Sequence, residues 1–113
     1  MSDFNLPRSG QLPLRFNGEL LAVSDSKRPD AVRWSELEIY RVDDGRYVVH
    51  TVGRTTHHNE RDRFTVTICD GAPEVLRALV RDNGRFTDLA LRALSDAATK
   101  DAALAAASAE DLT

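Results

Sequence analysis

The sequence predicts an α+β fold, a small antiparallel β-meander of three to four strands covered on one face by two C-terminal helices. Three observations carry that reading. Two runs rich in β-branched and aromatic residues, Arg33–Val42 and Tyr47–Gly53, flank Asp44-Gly45, a strong short-range hairpin signal. The run Arg63-Phe64-Thr65-Val66-Thr67-Ile68-Cys69 alternates apolar and polar residues with the period of a strand. After it the apolar spacing becomes helical, first as Val75, Leu76, Leu79 and Val80, then as Ala90, Leu91, Leu94, Ala97 and Ala98.

In chain order, residues 1–11 mix Pro, Gly, Ser and Asn with little periodicity and read as a loose N-terminal arm. Residues 12–99 read as the single domain. Leu14–Ser24 has strand character, with Asn17-Gly18 either a turn or a bulge. Pro29 breaks the polar loop that follows, and Thr55–Asp62 is a polar connection. Asp70-Gly71-Ala72-Pro73-Glu74 starts a helix, since proline is tolerated in a first turn and acids are favourable there. Asn83-Gly84 stops it. Thr87 caps the second helix, with Phe86 and Leu91 at the spacing of a hydrophobic staple. Residues 100–113 read as an Ala-rich acidic tail, a frayed helix or disordered, that stability does not need.

The hairpin admits two registers. A two-residue turn at Asp44-Gly45 gathers Leu37, Ile39, Val48 and Val52 under the helices and is preferred. It leaves Trp34, Tyr40, Val42, Tyr47 and Val49 facing outward. The rival is a three-residue loop, Asp43-Asp44-Gly45, with Gly45 in the left-handed bulge position; it sets Glu38 opposite His50.

Composition narrows the functional classes. Residues 1–95 hold 14 basic and 14 acidic residues, so the formal charge of −3 belongs to the C-terminal stretch. A neutral body lacks the basic excess that drives nucleic-acid binding. No stretch approaches the roughly 20 apolar residues of a membrane span, and Met1–Arg8 lacks the pattern of a signal peptide. The single cysteine excludes an internal disulfide and fits a reducing cytoplasm. Arginine outnumbers lysine 13 to 2 and alanine is abundant, a coding bias suited to a bacterium, a phage or another mobile element.

Several constellations invite chemistry and fall short of it. His57-His58 has no third ligand at metal-site spacing, and adjacent residues on an extended segment point apart. Cys69, before a helix start, could be activated by the dipole with His50 as base, but a lone cysteine ending an apolar strand is ordinarily core. The two helices suggest a helix-turn-helix, yet Asp88 and Asp96 on the second would oppose phosphate. The remaining pattern is aromatic residues with arginines on strands: Trp34, Tyr40 and Tyr47 beside Arg33, Arg41, Arg46 and Arg54.

The expectation is therefore a non-enzymatic binding or regulatory module working through protein contacts, with a homodimer as one form, and without cofactor or metal. Its contact residues are Trp34, Tyr40, Val42, Tyr47, Val49, Arg33 and Arg46. The alternative is a binder of single-stranded nucleic acid or nucleotides through the same aromatics and arginines. If no metal supports the fold, a chelator should leave the melting temperature unchanged; a drop of several degrees would show a structural ion.

Overall fold

The computed structural model describes residues 2–109. Five strands, β1 (Ser2–Arg8), β2 (Gln11–Asp25), β3 (Arg33–Val42), β4 (Tyr47–Thr55) and β5 (Arg63–Cys69), form one antiparallel sheet in the order of the chain. Three helices follow: α1 (Ala72–Leu79), α2 (Asp88–Ala98) and α3 (Ala102–Ala107). The α+β class agrees with the sequence reading, with one more strand and one more helix than expected.

The β3–β4 hairpin adopts the rival register. Val42 N–H donates to Arg46 O at 2.7 Å, leaving Asp43, Asp44 and Gly45 as a three-residue loop, and Gly45 has φ 93°. A side chain is strained at that angle and glycine is not. Glu38 then faces His50, Ile39 faces Val49, and Tyr40 faces Val48. This one-residue shift reverses the expected faces of β4. Leu37, Ile39, Tyr47 and Val49 turn toward the helices, while Tyr40, Val48, His50 and Val52 take the other side of the sheet.

Both sides are covered. On one, α1 packs on β4 and β5, α2 on β2 and β3, and α3 rests against both helices. Leu21, Leu37, Ile39, Val75, Ala93 and Leu104 form the centre of that core. α1 and α2 do not meet as a helix-turn-helix, because each packs on the sheet and α3 packs against both. Thr87 Oγ1 caps α2 by accepting from Ala90 N–H at 3.1 Å. Leu91, expected in the buried stripe, is 50% exposed; Ala93 takes its place.

The other side is covered by a hairpin whose first strand lies in residues 1–11, which read as a loose arm. β1 and the first half of β2 form a hairpin about Ser9-Gly10, with Phe4 opposite Phe16 and Leu6 opposite Leu14. The sheet curls so that this hairpin lies over Tyr40 and Val48. Phe4 and Phe16 meet the Tyr40 ring edge-on at centroid distances of 4.7 and 5.3 Å, the arrangement favoured by aromatic quadrupoles. Ser9 closes the curl onto β5, donating to Phe64 O at 2.9 Å. Asn17-Gly18 is neither turn nor bulge. Gly18 runs within β2 where a Cβ would collide with Arg41 O, and the bulge falls at Leu21.

The C-terminal stretch also departs from expectation. Asp101 caps α3, accepting from Leu104 N–H at 2.9 Å. The same carboxylate accepts from Tyr47 Oη at 2.9 Å and from Arg41 at 2.9 Å. Burial alone would raise the Asp101 pKa, but the Leu104 amide, the Arg41 guanidinium and the Tyr47 hydroxyl hold it below the usual range. Leu104 is fully buried. Residues 101–107 are thus a docked helix, because one leucine and one capping acid anchor an otherwise alanine-rich segment. Residues 110–113 of the expected tail, including Leu112, lie outside the described residues.

Leu104→Ala should therefore cost about 2–5 kcal/mol, the range for emptying a buried leucine site, and truncation after Thr99 should cost more. Urea unfolding midpoints measure both. A shift worth less than about 0.5 kcal/mol, typical of surface positions, would show that α3 does not dock.

Candidate functional site

The residues expected to form one outward surface are dispersed. Tyr47 and Val49, 4% and 3% exposed, lie under the helices; Tyr40, 3% exposed, and Val42 lie under the N-terminal hairpin. The register turns Tyr47 and Val49 under the helices, whereas Tyr40 and Val42 keep the expected side and are covered there by the N-terminal hairpin. Arg46 sits at the β3–β4 turn and pairs with Asp44 at 2.8 Å. Arg41 is drawn to Asp101 and to Glu19. Trp34 and Arg33, at the opposite end of the hairpin, remain on the surface.

Around these two the structure builds an open groove of about 720 Å³. Arg33 and Trp34 come from the start of β3, Arg54 from the end of β4, Arg63 from the start of β5, and Glu60 and Arg61 from the intervening loop. The loop is pinned by its acids. Glu60 accepts three hydrogen bonds from the Arg33 guanidinium, at 2.9, 3.1 and 2.7 Å, and one from Thr55 Oγ1 at 2.7 Å. Asp62 accepts from Thr55 N–H at 3.0 Å and from Arg54 at 2.9 Å. The hydrogen bonds from Arg33 and Arg54 hold these two carboxyls below their usual pKa range. Such exposed pairs contribute little to stability; here they fix the loop's path.

Pinning Glu60 and Asp62 turns the alternate residues out. Among the described residues, neither Arg61 nor Arg63 takes part in an ion pair. Lys27 Nζ lies over the Trp34 ring at 4.7 Å, and Trp34 Nε1 donates to Glu36 at 3.3 Å. The ring's cation-binding face is thus already in use by the protein itself. Lys27, Arg61 and Arg63 were not among the sequence candidates. The signal was the alternation Glu60-Arg61-Asp62-Arg63, which places like charges on the same side of an extended segment.

The other polar cluster is interior. His50 Nδ1 lies 2.7 Å from Glu38 Oε1, which also accepts from Tyr40 Oη at 2.9 Å. His50 Nε2 is buried with no hydrogen-bond partner among the described residues, and its ring stacks near Phe64 at 6.2 Å. The hydrogen bond from His50 outweighs partial burial and holds the Glu38 carboxyl below its usual range. Burial, reinforced by the bond to Glu38, pushes the Tyr40 hydroxyl up.

Cys69 lies on the helix side of the sheet and His50 on the hairpin side, so the two cannot act together. Burial pushes the Cys69 thiol up, with Glu74 and Asp70 adding to the effect, opposite to activation. His57 and His58 occupy a turn rather than an extended segment, and their rings stack at 5.1 Å instead of pointing apart. Among the described residues no group of three or more His, Cys, Asp or Glu is placed to hold a metal. No helix among them is long and apolar enough to cross a membrane.

Comparison of the chain with protein-family models, with curated proteins and with solved structures finds no match in any of the three.

The Glu38 contact predicts a pH dependence. Its folded pKa lies below the ordinary value of 4.5. The stability it contributes is therefore present above that value and lost as the pH falls through the lower folded value. The stability difference between wild type and Glu38→Gln should accordingly be largest near neutrality and shrink in acid. A difference that stays constant across that range would show that Glu38 carries no lowered pKa.

Proposed function

We propose that the protein is a non-enzymatic binding module that holds an acidic segment of a partner protein in the Trp34 groove. The observation that carries this reading is the gathering of the chain's only tryptophan with Arg33, Arg54, Arg61 and Arg63 around one cleft. Tryptophan and arginine are the side chains that most often concentrate binding energy at protein contacts. Arg61 and Arg63 are free to meet carboxylates, while Arg33 and Arg54 are held in place by their own acids.

The local charge favours a short acidic peptide over a long polyanion. Lys27, Arg33, Arg54, Arg61 and Arg63 stand against Glu36, Glu60 and Asp62, an excess of two positive charges. That is modest beside the basic surfaces that track a phosphate backbone. A second reading, single-stranded nucleic acid, draws on the Trp34 ring, which would stack a base once Lys27 moved aside.

Trp34 reports directly on the groove, since no other tryptophan emits. Titration with a hexaglutamate peptide at about 50 mM salt should change its fluorescence saturably, and about 0.5 M salt should abolish the change. Arg61→Glu with Arg63→Glu should weaken binding about tenfold or more, equivalent to roughly 1.4 kcal/mol, with an unchanged melting temperature. A response to oligothymidylate and not to the peptide would favour the second reading. Silence toward both would overturn the groove as a site.

A further inference from the structure

The closure between the N-terminal hairpin and β5 fixes the direction of the backbone along β5. Phe64 O accepts from Ser9 N–H at 2.9 Å, and Phe64 N–H donates to Ser9 Oγ at 2.8 Å. Both backbone groups of Phe64 therefore point away from β4. Residues two apart in a strand direct these groups the same way, so Val66 and Ile68 also turn theirs outward. Beyond Ser9 nothing among the described residues pairs with them.

This open edge lacks the features that guard against pairing. From Thr65 to Cys69 there is no charge and no proline, and the register with β4 runs without a bulge. Thr65 and Thr67 are exposed, and Ile68 is 48% exposed. We propose that β5 pairs antiparallel with β5 of a second copy of this chain, about a two-fold axis through Thr67, joining the two sheets.

Symmetry and hydrogen bonding select that register. A two-fold perpendicular to the sheet requires facing residues to lie on the same side, so the axis passes through a residue. Centred on Val66, it would set Ile68 opposite Phe64, whose backbone groups Ser9 already holds. Centred on Thr67, it sets Val66 opposite Ile68 of the second copy twice, and the outward N–H and C=O of both residues are satisfied in both copies. The exposed Ile68 side chain then lies beside Val66 on the hairpin side of the sheet. Thr67 faces its own counterpart as a non-hydrogen-bonded pair, the closer of the two antiparallel pair types. The contact is short and falls below the size of stable interfaces, so the dimer is weak and forms at high concentration.

Sedimentation velocity from about 1 to 500 μM should show a concentration-dependent dimer, a range that brackets weak association. Ile68→Lys, a charge set on the edge at an exposed position, should weaken it tenfold or more while leaving the melting temperature unchanged. Thr67→Cys tests the register separately: two facing cysteines in such a pair lie within disulfide reach, so oxidised glutathione should link the chains. Ser95→Cys on the exposed face of α2 should remain unlinked. A wild type that stays monomeric throughout overturns the proposal, as does a dimer indifferent to Ile68→Lys. If Ile68→Lys does not fold, failure of Thr67→Cys to cross-link above the Ser95→Cys control overturns it.

Discussion

The register of β3 on β4 decides what every other element must do. The three-residue loop closed by Gly45 sends Tyr47 and Val49 to one side and Tyr40 and Val48 to the other. A hairpin with large apolar residues on both faces is unstable in water unless both are covered. The helices can reach only one. The long β2 strand and its partner β1 therefore serve as the second layer, curling back across the sheet instead of extending it flat. Gly18 permits the close approach of β2 to β3 where that curl develops, since any side chain there would collide with the Arg41 carbonyl.

The covering of each face ends in a polar contact. On the hairpin side, Ser9 latches onto Phe64. On the helix side, Asp101 joins the cap of α3 to Arg41 on β3 and Tyr47 on β4, whose hydroxyl is pushed up to about 12 by burial and then by the bond to Asp101. A buried carboxylate with several donors is costly to disturb, because removing any one leaves charge or a polar group unpaired. Apolar burial supplies the mass of the stabilisation; these contacts fix where each layer stops.

The sequence disclosed the central hairpin, β5, the capped start of α2 and the α+β class, all of which rest on local periodicity and turn chemistry. It hid what depends on distant partners. The mirror spacing of Phe4 and Leu6 with Leu14 and Phe16 about Gly10 was a hairpin signal, masked by Pro7 and Pro13. Asp101 and Leu104 looked like fragments of an acidic, alanine-rich end, because their partners lie far back in the chain. Of the site, Trp34 and Arg33 were legible as residue types. Arg61 and Arg63 were not, since their freedom depends on Glu60 and Asp62 being held elsewhere.

The bond from Asp101 to Arg41 spans 60 positions, and that to Tyr47 spans 54. Contacts so distant are made late, after the loop entropy between them has been overcome. Synthesis runs from the N-terminus, so the strands exist before α3 is made. A nascent chain can therefore finish its hairpin-covered face while the site that Leu104 will fill against α1 and α2 is still empty. During that interval the half-made protein offers chaperones and proteases an apolar gap on the helix side only, and the six-residue α3 closes it.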